Sequence, residues 1–415
     1  MSGRVHATIQ AVWRIESPRL IAGLTRLVRD VGVAEDLAQD ALVAALEQWP
    51  ESGVPDNPGA WLMATAKHRA IDGLRRGARL ERKQAELARD LEEGEEPDLD
   101  AALDAGVEDD LLRLIFMTCH PVLSRDARVA LTLRLLGGLS TPEIARAFLV
   151  PEATVAQRIV RAKRTLAAAN VPFEVPGERE RAARLESVLE VVYLVFNEGC
   201  SASAGEDWIR PSLCAEALRL GRILAGLAPG EPEVHGLVAL MELQASRLRA
   251  RVGAGGEPVL LLDQDRARWD GVLIARGLAA LERAQELGAP LGSYGLQAAI
   301  AACHARARTP EETDWVRIAA LYDALSQVAP SPVVELNRAV AVAMAFGPVA
   351  GLELVDALAA ETALDGYHLL PSVRGDLLAR LGRRAEARAE FERAAALAGN
   401  ERERELLRAR AAELA

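Results

Sequence analysis

Residues 140–166, STPEIARAFLVPEATVAQRIVRAKRTL, leave the chain little choice of local fold. Ser140 followed three positions later by Glu143 has the spacing of a capping box, in which two side chains satisfy backbone N–H groups reciprocally, and Pro142 is tolerated in an opening helical turn. Leu149, Val150 and Pro151 then make a turn, and Val155, Ile159, Ala162 and Leu166 recur as the buried stripe of a second helix. Ala145 is small enough for the two helices to approach closely. Thr154, Gln157, Arg158, Arg161 and Arg164 are left on the opposite face. A basic amphipathic helix alone is usually a solvated face. Cap, tight turn and stripe together predict a helix-turn-helix that offers hydroxyl, amide and guanidinium groups to base edges and phosphates in a major groove.

The remainder of the chain reads as all-α. Half of its 415 residues are apolar but only 4% are aromatic, and Ala, Leu, Arg and Glu dominate, a mix of helix formers poor in strand-favouring residues. The length predicts about two to four domains. From Ala34 to Trp49, the residues Ala38, Leu42, Ala45 and Trp49 form one helical stripe, with Glu35, Asp36, Gln39, Asp40 and Glu47 on other faces. The stretch PESGVPDNPG (50–59) predicts a loop, and a second helix follows over 59–79 with Leu62, Ala66, Ile71 and Leu74 buried. Beyond Arg181 the pattern becomes repetitive. In 377–400, Gly382 separates two helices and Ala387, Phe391 and Ala394 supply the small, large, small packing series of a tetratricopeptide-type unit, with weaker echoes at 214–229 and 335–359. Such units must stack to bury their faces, so a degenerate helical solenoid is expected.

The net charge of −11 taken alone argues against a nucleic-acid binder, but the charge is blocked along the chain. Residues 67–83 carry seven basic and two acidic side chains, and 111–170 carry nine basic and three acidic. Between these islands, 86–110 holds twelve carboxylates against the single Arg89, which predicts a mobile acidic linker. Cys119, Cys200, Cys214 and Cys303 show no CxxC spacing, so reduced core cysteines are expected in place of a disulfide framework or a zinc knuckle. The N-terminus has no signal-like apolar core, and the run from Ala339 to Leu352 is too short to span a bilayer. A cytoplasmic protein without membrane association is expected.

The order of AEDLAQDAL (34–42), a loop, NPGAWLMATAKHRAIDGLRR (57–76), a variable linker and the helix-turn-helix resembles the extracytoplasmic-function sigma factors of bacterial RNA polymerase, over residues 9–168. The segments VYLVFNEGCSAS (192–203), LLLDQDRARWD (260–270) and DGYHLLPSVRGDLLARLGR (365–383) resemble the group of these factors with a fused tetratricopeptide-like domain. The resemblance implies a region 2 helical bundle over 1–83, the acidic linker over 84–109, region 4 over 110–170 and a helical repeat domain over 181–415. It also implies the partners: core RNA polymerase, through the β′ clamp helices and the β flap, and promoter DNA. Asp36, Leu37, Gln39 and Asp40 would dock on the clamp helices. The loop at 50–60, with Asn57, would receive a base flipped from the minus-10 element, Lys67, Arg69, Arg75, Arg76 and Arg79 would hold phosphates, and Trp61 would either support strand opening or lie in the core. Thr154, Gln157, Arg158 and Arg161 would read the minus-35 duplex, with Lys163 and Arg164 on phosphates. Two features depart from the family: Leu149 stands where such turns often carry Gly, and the loop is longer than usual.

Two other readings compete. A helix-turn-helix regulator with a helical sensor, acting without core polymerase, would explain 140–166 but not 34–79. An enzyme in 181–415 could be argued from Asp365, Tyr367 and His368, or from His304 beside Cys303, but no paired nucleophile, metal spacing or phosphate loop accompanies them. No catalytic centre, cofactor or metal is therefore expected, and the C-terminal segment is expected to receive a regulatory protein or a small ligand.

Overall fold

The computed structural model describes residues 2–71, 107–148, 150–200, 209–253, 255–360 and 364–414. Among these the protein is helical, with one isolated β-bridge between Val252 and Pro258 and no strand. It divides into two compact units, Met1–Val191 and Val192–Ala415. The division falls inside one helix, later in the chain than the start at 181 that the resemblance implies for the repeat domain.

In the first unit, α1 (Ser2–Val28) packs on α2 (Val31–Ser52). The face of α2 that makes this possible is built from alanines: Ala34, Ala38, Ala41 and Ala45 are fully buried, so the backbones can approach, and Trp49 closes the stripe at 1% exposure. Asp30 starts the helix by accepting from the backbone N–H groups of Gly32 (2.7 Å) and Val33 (3.0 Å). Contrary to the sequence expectation, the segment from Pro50 does not end the helix at once. α2 continues through Pro50 to Ser52 and stops at Gly53, whose N–H donates to the Trp49 carbonyl at 3.0 Å. A proline in a solvent-facing last turn loses one hydrogen bond without colliding with packed neighbours. The next helix, α3, covers 58–71; Leu62 and Ala66 are buried as expected, whereas Ile71 is only half-buried and its neighbour Ala70 is buried instead. Leu74 lies outside the described residues.

Four further helices follow: α4 (Val107–Thr118), α5 (Arg125–Leu135), α6 (Thr141–Phe148) and α7 (Glu152–Ala168). α4 packs on α1, and α5 packs on α7. The first half of α8 (Glu178–Cys200) belongs with them. Ser187 donates to the Cys119 carbonyl (2.6 Å), Arg184 to the Phe116 carbonyl (3.0 Å), and Arg128 to the Glu190 carboxylate (3.1 Å).

The second unit consists of the end of α8 and ten helices, α9 (Pro211–Leu227), α10 (Pro232–Ala245), α11 (Gly271–Glu286), α12 (Ser293–Arg306), α13 (Trp315–Val328), α14 (Pro332–Phe346), α15 (Pro348–Ala359), α16 (Leu369–Arg380), α17 (Arg384–Leu397) and α18 (Glu401–Ala412), among the described residues. From α12 onward each helix packs on the next. Glycines allow the closest crossings. A Cβ on Gly351 of α15 would lie 2.4 Å from the Cβ of Ala343 in α14, and one on Gly375 of α16 would lie 3.1 Å from the Phe391 ring in α17. Gly382, at φ +75°, makes the turn between α16 and α17, and Ala387, Phe391 and Ala394 are all buried, as their spacing predicts.

His304, on α12, is 8% exposed and packs edge-on against Trp315, with ring centroids 5.1 Å apart. Burial, with the Arg247 and Arg266 charges beside it, pushes its pKa down from 6.5 to about 4. The unfolded chain therefore binds the proton first, so no penalty exists above pH 6.5 and one grows as pH falls towards 4. The second unit is expected to lose on the order of 3 kcal/mol over that window, read as a falling denaturation midpoint that His304→Gln flattens. Phe391→Ala should cost about 3–5 kcal/mol in the same measurement at neutral pH.

Candidate nucleic-acid interface

The helix-turn-helix forms as its sequence dictates. The Ser140 backbone N–H donates to the Glu143 carboxylate at 2.8 Å, the Glu143 N–H donates to Ser140 Oγ at 3.4 Å, and α6 begins between them. Behind α6, the Val150 N–H returns to the Ala145 carbonyl at 3.1 Å, and Pro151 precedes the first turn of α7. Leu149 itself lies outside the described residues. Val155, Ile159, Ala162 and Leu166 are buried, so the opposite side of α7 must face outward.

The six candidate side chains of this helix divide into three sets. Gln157, Arg161 and Arg164 are exposed on one flank, four and three residues apart. Thr154 and Arg158 are half-buried beside them, and the Arg158 guanidinium pairs with Asp126 of α5 at 2.8 Å. Lys163 points the other way, to α2, where its ammonium pairs with Glu35.

Among the candidates on α2, Asp36 and Asp40 are exposed, and Leu37 and Gln39 are half-buried. Asp40 pairs with Arg69 of α3 at 3.3 Å, and Gln39 donates to Glu35 at 2.7 Å. Asn57 is exposed and caps α3, its side-chain oxygen accepting from the Ala60 N–H at 3.1 Å. Trp61 is half-buried, edge-on to Trp49 with centroids 5.3 Å apart, which ties it to the core of this unit. Lys67 is half-buried; Arg75, Arg76 and Arg79 fall outside the described residues.

The sequence reading put Glu35 on a face other than the buried stripe, and the structure buries it. Glu35 is 3% exposed and lies between the two basic groups of Arg134 (Nε at 2.6 Å, from α5) and Lys163 (from α7). Burial pushes its carboxyl up, but the Lys163 and Arg134 charges more than offset this and hold it below the usual carboxylate range. A signal for this was present: residues 35, 38, 42, 45 and 49 share one stripe of α2, and its first member is charged. A carboxylate in register with a buried stripe requires a cation from elsewhere. A second tie joins the same halves, where Asp110 of α4, 2% exposed, pairs with Arg26 of α1 at 3.2 Å and Arg113 at 2.8 Å.

Asp365 is exposed, His368 pairs with Glu403 at 2.9 Å, Cys303 is buried, and no group of His, Cys, Asp or Glu among the described residues is arranged to hold a metal. No helix among the described residues is long and apolar enough to cross a membrane.

Comparison with known proteins agrees with this geometry. Residues 13–80 match the family model for sigma-70 region 2, residues 113–166 that for sigma-70 region 4, and residues 184–285 a family of unknown function, DUF6596. An uncharacterized protein of Rhizobium meliloti (strain 1021) is 47% identical over 392 residues, covering 94% of this chain and 92% of that one. The ECF RNA polymerase sigma factor SigC of Mycobacterium tuberculosis (strain CDC 1551 / Oshkosh) is 30% identical over 175 residues, 42% of this chain and 84% of its own. No solved structure matches. The matches to sigma-70 region 2 and region 4, in that order along the chain, define a promoter-recognition subunit of RNA polymerase. The chain belongs to the ECF sigma factors and carries an additional C-terminal helical region.

Removing the capping box by Ser140→Ala with Glu143→Ala leaves two helix N-terminal donors without partners. The first unit is expected to lose about 1 kcal/mol, seen as a lowered thermal midpoint, with the second unit's transition unmoved.

Proposed function

We propose that this sigma factor binds core RNA polymerase through α2, engaging the β′ clamp helices with Asp36, Leu37, Gln39 and Asp40, and reads the minus-35 element with the outer face of α7. As an ECF sigma factor it directs promoter-specific transcription, works with core polymerase and promoter DNA, and is an initiation factor without chemistry of its own. The observation that carries the assignment of the reading face is the exposure of Gln157, Arg161 and Arg164 on one side of a helix whose other side is a buried stripe. Thr154 and Arg158 flank that face, and Arg158 must exchange Asp126 for a base or phosphate. Lys163 would supply a phosphate contact only after leaving Glu35. The loop at 53–57 and α3 would serve the minus-10 element, with Asn57 and Lys67 nearest to it and Arg69 released from Asp40. Arg75, Arg76 and Arg79 continue the same basic island in sequence. Trp61 acts here by supporting Trp49 and the loop. The β flap would receive region 4. The domain limits 1–83, 84–109, 110–170 and 181–415 are retained as functional divisions, with the last a tetratricopeptide-like regulatory module that receives a protein or a small ligand. A regulator that bypasses core polymerase would leave the match over residues 13–80 without a use.

Run-off transcription with core polymerase on a genomic fragment library tests this reading and supplies the promoter. Arg161→Ala is expected to reduce discrimination between the selected promoter and scrambled DNA by about 1–3 kcal/mol, measured as a ratio of binding constants at fixed salt. Equal losses on both DNAs would remove Arg161 from the readers. Asp36→Arg with Asp40→Arg should lower core affinity about 10-fold or more while the thermal midpoint moves little, because both carboxylates are exposed and the Arg69 pair is a surface one.

A further inference from the structure

We infer that Glu35 is a latch: in the free protein it holds the helix-turn-helix against α2, and core polymerase and promoter DNA release it by taking the groups it uses. The inference rests on the assignment of α2 to core polymerase and of α7 to DNA. Three partners converge on this one carboxylate, Arg134 from α5, Lys163 from α7 and Gln39 from α2 itself. Two of them, Gln39 and Lys163, are residues that the proposed function needs elsewhere. Gln39 cannot offer its amide to the clamp helices while it donates to Glu35, and Lys163 cannot neutralise a phosphate while it neutralises Glu35. The two uses exclude one another, and such exclusion is a coupling free energy that acts in both directions.

Beside the latch lies a cleft of about 220 Å³, lined in part by Asp30 and Val31 at the head of α2 and by Lys163, Leu166 and Ala167 of α7. The Lys163 stem lies over the head of α2, where a Cβ on Gly32 would come within 3.6 Å of its Cδ. A buried ion pair gives back much of its attraction as desolvation, so a carboxylate and two cations that regain water, polymerase or phosphate on opening lose little overall. Glu35 stays charged at neutral pH because the same two cations hold its proton off.

The test uses the full chain and Glu35→Gln, which keeps the shape and removes the charge. Acetylation of Lys163 by an amine-reactive ester, followed by peptide mass mapping, is expected to be slow in the free wild-type protein and about 5-fold or more faster in the variant. Affinity for core polymerase should rise in the variant by a similar factor. A Lys163 that reacts as fast in wild type as in Glu35→Gln overturns the latch, and so does a core affinity that falls or stays unchanged, which would mark Glu35 as a polymerase contact or a folding residue. A wild-type protein that fails to bind core polymerase at all overturns the functional reading itself and the latch with it.

A different observation carries a second inference, independent of the first: we propose that Cys200 and Cys214 are a site of reversible oxidation to a disulfide. Cys200 ends α8, Cys214 lies in the first turn of α9, and their sulfurs are 3.1 Å apart. The two backbones come this close because residue 199 is glycine, where a Cβ would lie 2.6 Å from the Cys214 nitrogen. The proton between the sulfurs pushes the Cys214 thiol up, as does burial, while the Arg251 charge acts in the opposite sense. The oxidant is a peroxide. One sulfur attacks a peroxide oxygen and becomes a sulfenic acid with release of one water; the second thiol attacks that sulfur and releases another, so each cysteine gives up one electron and one proton. Reaction with a dithiol returns both thiols.

Hydrogen peroxide treatment of the full chain, then denaturation and thiol alkylation, is expected to block two of the four cysteines and to yield a 200–214 linked peptide that dithiothreitol abolishes. Cys214→Ser should leave its three thiols free under the same treatment. Four free thiols in the treated wild-type protein, a linkage between any other pair, or irreversible oxidation of one cysteine alone would each overturn the proposal.

Discussion

A carboxylate that is almost without water stays ionised only if cations stand where the water was, and in this chain that requirement joins two segments far apart in sequence. Glu35 is satisfied by Arg134 and Lys163, about 100 and 130 residues further on. The helix that carries it has two different flanks. One holds Glu35, paired with α5 and α7, and Gln39, which donates to it; the next, holding Asp36 and Asp40, is exposed. A step of one residue along a helix rotates by about 100°, and that single step separates a structural acid from an available one. The alanine stripe on the third side lets α1 lie close enough to fix the helix in that orientation.

The second unit is held together on other terms. Its helices cross on glycine and alanine, and one arginine staples several of its segments. Arg266 donates to the carbonyls of His304 and Ala307, each at 2.7 Å, and to Thr313 Oγ1 at 3.0 Å, with its guanidinium over the Trp269 ring at 5.0 Å. One side chain thereby satisfies acceptors at the end of α12 and in the segment leading to α13. This cost of burial is also what makes His304 reluctant to accept a proton, since its two nearest charged neighbours are arginines.

Local rules made part of this readable in advance. The capping box, the stripe of α7, the helix break at Gly382 and the Ala387, Phe391, Ala394 series depend on residues within a few positions of one another, and each appears where periodicity puts it. Pro50 misled because a proline's effect depends on what faces it, and the last turn of α2 faces solvent. Glu35 misled for the opposite reason. Its partners are distant in sequence, and a periodicity that treats every acid as solvated cannot find them. The division of Trp61 between core and base stacking was open from sequence, and its edge-on contact with Trp49 ties it to the core.

The charge pattern gains its meaning only when partners are counted. The stretch 86–110 alone accounts for the chain's net charge of −11, so the remainder is close to neutral and its sum says nothing about DNA. What distinguishes the outer face of α7 is local. In the second unit the arginines commonly have an acid three positions away, as in Arg383 with Glu386 and Arg402 with Glu405, pairs that leave no excess field and add little stability. On α7, Arg161 and Arg164 have no carboxylate partner among the described residues, and the first-turn acid, Glu152, sits at the far end of the helix. Two exposed guanidinium groups without a neutralising acid keep a positive potential that extends about a Debye length into solvent. A phosphate backbone can find that potential before any base is read.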